Sequence, residues 1–135
     1  MRRADWHARL WAEIERRRAF PFQWGASEGA QDCCTFAAAM VDELTGSNHV
    51  TDLLAHYVDE ASALAYIAAS GGIDAAISTF LGDPAPLSFA QRGDVIGLTG
   101  DIQVGVCIGH KVIAAGADGL IELPMWPVAR IRWAV

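Results

Sequence analysis

Apolar residues recur with the spacing of a helix through the first part of the chain. Residues 4–18 have one apolar and one charged face, which predicts an amphipathic helix. Its apolar stripe consists of Trp6, Leu10, Trp11 and Ile14. A second helix is predicted from Cys33 to Leu44, with Asp32 as its N-cap and Gly46 as its C-terminal cap.

Residues 51–81 form an alanine-rich segment that also has helical character. Ser70-Gly71-Gly72 interrupts it, because adjacent glycines disfavour a continuous helix. We therefore predict one helix over residues 52–69 and a shorter one over residues 73–81. The proline-containing residues 83–86 are typical of a loop that closes this segment.

From residue 94 onward the period changes from that of a helix to that of a strand. Residues 102–108 alternate apolar side chains with Gln103, Gly105 and Cys107, as in a half-buried strand. The predicted strands are residues 94–98, 102–108, 111–115, 120–123 and 128–135, joined as a meander. Helices followed by an antiparallel sheet indicate an α+β fold, and no repeat or linker divides residues 1–135 into more than a single domain.

Composition and charge narrow the class of protein. A length of 135 residues and 53% hydrophobic content suit one folded domain and exclude intrinsic disorder. The net charge of -6 argues against general nucleic-acid binding, which needs a basic surface. The charge is uneven, since residues 1–18 hold six arginines against three acids and the other 117 residues carry -9. A basic arm thus precedes an acidic body.

The cysteines and the apolar runs indicate in which cellular compartment the protein is made. An odd count of three cysteines, two of them adjacent, does not suit a disulfide framework and favours synthesis in a reducing cytoplasm. No run reaches the roughly 20 apolar residues of a membrane helix. No signal peptide is predicted, because no apolar stretch follows the first arginines.

The chemically informative point is Asp32-Cys33-Cys34 at the predicted start of a helix. A helix N-terminus favours a thiolate, so it lowers a thiol pKa and suits Cys33 as a nucleophile. Position alone favours the plainer interpretation, in which cysteine is a small buried apolar residue and Asp32 only a cap. Spacing predicts no metal site and no cofactor, since no compact set of ligands occurs.

The order of several short motifs resembles a known family. Trp24-Gly25, a short loop, Asp32-Cys33 and then Phe36 resemble the nucleophile segment of the NlpC-like cysteine peptidases, papain-like-fold enzymes that cut the peptide stems of bacterial cell walls. Residues 92–96 are similar to the Gly-Asp segment that begins a strand in that family. Residues 103–109 are similar to its next strand, in which the catalytic His precedes a Val-Gly run.

This resemblance covers most of the chain from Trp24 onward and implies a papain-like NlpC-type fold. It predicts N-terminal helices packed on a C-terminal antiparallel sheet of about five strands. The amphipathic helix of residues 1–18 would precede a nucleophile segment (24–46), a helical insert (51–81) and the sheet (94–135).

A narrower resemblance is to small proteins of phages and gene-transfer agents that have this fold. They share the Trp-Gly pair, the Asp-Cys pair and a terminal strand like Arg132-Trp133. The spacing Tyr57…Ala61…Gly71-Gly72 is a further common feature. Such proteins are usually encoded among tail genes, which implies a location in the tail of a phage or phage-like particle.

Two positions depart from the family pattern. Gln103 stands where the family has its catalytic His, and residues 112–115 are apolar where the family has a polar orienting residue. Glutamine cannot accept a proton at neutral pH, and losing a general base removes about 10²–10⁴-fold of rate. Of the four histidines, His56 in the helical insert is the one candidate for a substitute base.

Two functional hypotheses from different classes follow. The first is a structural component of a phage or phage-like tail tip or baseplate, built on a peptidase fold that has lost its base. The second is an active cysteine peptidase or amidase with Cys33 as nucleophile and Asp32 at the helix start. Gln103 favours the first, and the retained Asp32-Cys33 pair favours the second.

Partner contacts are predicted at two places. The N-terminal helix and the loop around Trp126 carry aromatic residues suited to other tail or hub proteins. For the N-terminal helix, packing on its own domain is the alternative interpretation. Cell-wall peptidoglycan is a second kind of partner under the peptidase hypothesis. No nucleic acid and no membrane span are expected.

Overall fold

The computed structural model describes residues 1–135, with five helices followed by a five-stranded antiparallel sheet. The helices are α1 Trp6–Arg17, α2 Cys33–Thr45, α3 His49–Leu54, α4 Glu60–Ser70 and α5 Ile73–Leu81. The strands are β1 Val95–Leu98, β2 Val104–Cys107, β3 Lys111–Gly116, β4 Gly119–Pro124 and β5 Ala129–Trp133. A 3₁₀ turn, Leu87–Phe89, precedes β1, and a single helical turn, Met125–Val128, precedes β5. The predicted α+β class is confirmed.

The sheet is not the simple meander that the sequence predicts. The order is β4-β3-β2-β1-β5, so the last strand returns to lie beside the first instead of pairing with β4. Val95 pairs with Trp133 and Ile96 with Arg132. The physical reason is the Asp94 carboxylate before β1, which accepts a hydrogen bond from Arg132 Nε at 2.7 Å and holds β5 in this place.

Helix α2 packs on one face of the sheet and forms the main core there. Phe36, Met40 and Leu44 of α2 are fully buried against this face. The sheet contributes the side chains of Val95, Val104, Val106, Ile113, Ala115 and Trp133. This contact places the N-terminus of α2, and with it Cys33, beside the start of β2.

The opposite face of the sheet has its own smaller core. It consists of Ile96, Leu98, Cys107, Val112, Ala114, Met125 and Ala129. Cys107 is therefore buried away from α2, and the strand alternation that separates it from Val104 and Val106 also separates its thiol from Cys33. Core filling accounts for Cys107.

Helix α1 is an integral part of the domain. Leu10 and Ile14 are fully buried in the main core. Arg17, in the arginine run at its end, is buried, and its Nε donates to Glu13 Oε1 at 2.9 Å. Burial works to raise the pKa of Glu13, but hydrogen bonds from Arg16 and Arg17 outweigh it and lower that pKa below its ordinary value. The apolar face of α1 is thus occupied by its own fold.

The predicted helix over residues 52–69 is wrong, because the chain breaks between α3 and α4. Asp59 caps α4 by accepting a hydrogen bond from the Ser62 N–H at 2.9 Å, and Ser62 Oγ receives the Asp59 N–H in return. A reciprocal capping box of this kind starts a new helix. The break lets Tyr57 leave the helical path and turn its hydroxyl toward the start of α2.

No single helix is long and apolar enough to cross a bilayer. Only α4 and α5 taken together, bent by 79° at their junction, meet the length and composition test.

We expect Ile14→Ala to lower the free energy of unfolding by about 2–5 kcal/mol, since it opens a cavity in the main core. Chemical denaturation of the purified chain measures the change. Arg9→Ala, on the solvent-accessible side of the same helix, is the control and should change the stability far less, because exposed ion pairs contribute little. Equal small effects would mean that α1 does not contribute to the core.

Candidate active site

The start of α2 is organised by Asp32, whose side chain is fully buried. Its Oδ1 accepts the Thr35 N–H at 2.8 Å, and Thr35 Oγ1 accepts the Asp32 N–H at 2.9 Å. This reciprocal pair is a capping box that satisfies backbone groups at the helix N-terminus. Asp32 therefore fixes where α2 begins and where Cys33 lies.

A second set of donors reaches Asp32 from other parts of the chain. The Tyr57 hydroxyl donates to Oδ2 at 3.0 Å, and the Gly25 N–H donates to the same oxygen at 3.2 Å. Burial raises the pKa of Asp32, while these hydrogen bonds and those from Thr35 oppose the rise. The pKa of Tyr57 is raised, first by burial and then by the charge of Asp32, so Tyr57 remains a neutral donor.

The Trp24-Gly25 pair is shaped by close packing against the segment before α4. Gly25 has a φ of 80°, and a Cβ there would lie 2.3 Å from the Val58 carbonyl oxygen. Only glycine fits this conformation and this gap. Trp24 stacks edge-on against Tyr57, with ring centroids 6.2 Å apart. The loop thereby brings the Gly25 N–H to Asp32.

The residue before Asp32 is held just as tightly. Gln31 is fully buried and donates from Nε2 to the Arg17 carbonyl oxygen at 3.2 Å. Arg17 Nη1 donates to Gln31 Oε1 at 3.3 Å. The buried end of α1 thus clamps the loop that leads into α2. The sequence did not predict that Arg17 holds this loop, because Arg17 is there only one of three consecutive arginines.

Cys33 is the first residue of α2, and its side chain is buried against the core, leaving the residue 7% exposed. The neighbouring Cys34 thiol lowers the pKa of Cys33, and the Gln103 backbone N–H acts in the same direction, against burial and the charge of Asp32. The pKa of Cys34 is raised well above its ordinary value by Cys33 and by burial. Cys33 is therefore the thiol of the pair that ionises first.

Cys33 lies in an open groove of about 580 Å³, here called the Cys33 groove. Of its fourteen lining residues ten are hydrophobic, among them Phe22, Trp24 and Leu64. The other four are Glu60, Asp101, Gln103 and Gly116. The volume lies within the range of about 300–1,000 Å³ that is typical of ligand sites.

Gln103 and Ala115 line this groove close to Cys33. Gln103 directly precedes β2, and its backbone N–H reaches Cys33, as the motif order predicts for that position. Ala115 belongs to the apolar stretch of β3 and offers no polar group. The structure therefore brings together Asp32, Cys33 and Gln103, the three residues singled out from the sequence.

No histidine lines the Cys33 groove. His56 stacks on Tyr66 with ring centroids 4.4 Å apart and is exposed to solvent. His49 Nε2 lies 3.3 Å from the Phe80 carbonyl oxygen, and His7 accepts a hydrogen bond from Trp11 on α1. His110 occupies the turn between β2 and β3. His56 thus does not take the position of a substitute base.

Comparisons with known proteins give a family and a fold for the chain. A family model described as a domain of unknown function (DUF6950) matches residues 1–135. Among solved structures, the crystal structure of the NlpC/p60 domain of the peptidoglycan hydrolase SagA superimposes with a TM-score of 0.59. It is 16% identical, and the match covers 95% of this chain and 97% of that one, which shows a common fold. No curated protein sequence matches the chain.

We expect Gly25→Ala to destabilise the fold more than Gly29→Ala does. Both glycines have positive φ and share a cost of about 1–2 kcal/mol for a side chain in this region, but only Gly25 has a neighbour in the way. The clash with Val58 should add about 1–3 kcal/mol. Thermal or chemical unfolding measures the difference, and equal losses would contradict the packing described for Gly25.

The three thiols should be alkylated over different pH ranges. The pKa of Cys33 is lowered, so its half-maximal iodoacetamide labelling should occur at a lower pH than that of a free cysteine peptide, and that of Cys34 and Cys107 at a higher pH, since their pKa values are raised. Chymotryptic digestion followed by tandem mass spectrometry, with fragment ions that separate Cys33 from Cys34, resolves each site. Cys34→Ala removes the largest influence that lowers the pKa of Cys33, so the labelling profile of Cys33 should move to higher pH. An unmoved profile would refute that assignment.

Proposed function

The chain belongs to the DUF6950 family, and on that premise we propose that it is a non-hydrolytic structural component of a phage or phage-like tail tip or baseplate. Its fold is that of the NlpC/p60 domains. The observation that carries the proposal is the Cys33 groove, which has a thiol but no histidine beside it. Without a positioned base, about 10²–10⁴-fold of the rate of a hydrolase is lost.

A contrast between retained and altered residues also supports the proposal. The residues that carry the resemblance to tail-associated proteins hold the fold together: Gly25 fits against Val58, and Tyr57 donates to Asp32. Trp133 is fully buried and donates from Nε1 to Ser78 at 3.0 Å. The altered positions, Gln103 and Ala115, line the groove that holds the thiol. A fold kept for binding and assembly would retain the first set and lose the second.

The proposed location in a tail is based on the motif resemblance. The surface of the domain favours the turn around Trp126 for contact with other tail proteins. Trp126 is 62% exposed in the turn between Pro124 and Pro127. The apolar side of α1 is buried in the domain's own core, so this helix offers only its polar side. We therefore place the main contact with neighbouring tail or hub proteins at the Trp126 turn.

An active cysteine peptidase or amidase acting on cell-wall peptides is the second candidate function. The lowered pKa of Cys33 at the N-terminus of α2 favours it, since a thiolate is the attacking form. Hydrolysis would still require a group that protonates the leaving amine, and Gln103 does not supply one. For this reason we place it second.

The purified chain should release no more soluble peptide from peptidoglycan than its Cys33→Ser variant. Chromatography of the soluble fraction measures release, and the NlpC/p60 domain of SagA serves as the positive control. Cysteine-dependent release by this chain would overturn the non-hydrolytic proposal in favour of the peptidase.

The tail location has its own test. Particles purified from a producing strain should contain the chain at a fixed ratio to the other tail proteins, measured by quantitative mass spectrometry. Trp126→Ala should leave the stability of the isolated chain unchanged within about 0.5 kcal/mol but reduce its incorporation. Particles that lack the chain altogether would refute the location.

A further inference from the structure

The charges that line the Cys33 groove are all of one sign. Its only charged residues are Glu60, at the start of α4, and Asp101, in the loop between β1 and β2. Both side chains are exposed, and neither forms an ion pair or a side-chain hydrogen bond within the chain. Two unpaired carboxylates from separate elements therefore face the same open space.

The rest of the molecule reinforces this negative field. The chain as a whole carries a net charge of -6. The arginines of the N-terminal part are largely engaged, since Arg2 pairs with Asp94 and Arg17 with Glu13. A cleft lined by one sign of charge between low-dielectric walls concentrates ligands of the opposite sign. The groove thus disfavours an anionic occupant and attracts a cationic one.

The walls of the Cys33 groove are largely apolar, so a ligand that fits it also carries apolar groups. Leu64 is 51% exposed and lines the groove, so it offers apolar surface to an occupant. Phe22 and Trp24 stand beside it, and aromatic rings also attract cations. A ligand that matches both features carries basic groups interleaved with apolar ones.

Building on the non-hydrolytic function proposed above, we propose that the Cys33 groove is a docking site for a basic, apolar peptide segment of a partner protein. Lysine or arginine side chains of the segment face Glu60 and Asp101. Its apolar side chains lie on Leu64 and the aromatic wall. The groove holds the segment without cutting it, since the thiol has no base beside it. The retained groove then serves assembly instead of hydrolysis.

Fluorescence anisotropy with two labelled hexapeptides tests the proposal. One alternates leucine with arginine, and the matched peptide has glutamate in place of arginine. We expect the basic peptide to bind at least about tenfold more tightly than the acidic one, and to weaken as salt is raised toward about 0.15 M. Equal affinities, or no binding of the basic peptide, would overturn the proposal.

Charge reversal locates the site. The double variant Glu60→Lys and Asp101→Lys should lose about tenfold or more in affinity for the basic peptide. Asp83→Lys is the matched control, because Asp83 is equally exposed but lies outside the groove. All three side-chain changes involve exposed, unpaired groups, and thermal melts verify that each variant is folded. Because the double variant reverses two charges and the control one, a loss in Asp83→Lys of half the double variant's loss or more, on a logarithmic scale, would show that only overall charge matters and would refute the site.

Competition and mass spectrometry separate this proposal from the one it builds on. Soluble stem peptides from peptidoglycan should compete poorly with the basic hexapeptide, and strong competition by them would refute the partner-peptide assignment. The hexapeptide is recovered and weighed after binding. Cleavage in the wild type but not in Cys33→Ser would refute the non-hydrolytic function while leaving the charge preference in place. An intact peptide that fails to bind would refute only the docking site.

Discussion

The buried carboxylate of Asp32 is the constraint on which the rest of the site depends. It accepts hydrogen bonds from the Gly25 N–H and from the Thr35 N–H at the start of α2. It also accepts one from the hydroxyl of Tyr57, in the segment before α4. A buried carboxylate is tolerated only when several donors satisfy it, so these three parts of the chain must converge. Their convergence sets the position of Cys33 and one wall of its groove.

A second buried carboxylate does the same for the far end of the domain. Asp94 accepts hydrogen bonds from Arg132, from Arg2 and from the backbone N–H of Val135. It thereby joins the two chain termini to the start of β1 and selects the strand order in which β5 lies beside β1. Removing one partner of such a buried pair is costly, because a charge is then left without compensation. The basic arm is consequently a structural element of the fold.

The site combines features of a hydrolase with features of a binding surface. The thiol, the helix N-terminus and the groove have the arrangement that nucleophilic catalysis uses, whereas Gln103 and Ala115 supply no proton acceptor. Binding needs only the shape and charge of the groove, and both are present. Under the proposed function, the NlpC/p60 fold is retained for assembly, which does not require proton transfer.

The order of helices and then strands and the extents of α1 and α2 follow from the sequence alone, because they depend on local periodicity and capping. The choice of Asp32, Cys33 and Gln103 follows from the order of the motifs. The sequence did not predict the break before α4, since the capping box at Asp59 lies inside an otherwise helical composition. Nor did it predict the burial of Arg17, the return of β5 to β1 or the pairing of Tyr57 with Asp32. Each of these depends on contacts between residues far apart in the chain, and only the tertiary structure decides which distant donor meets which buried acceptor.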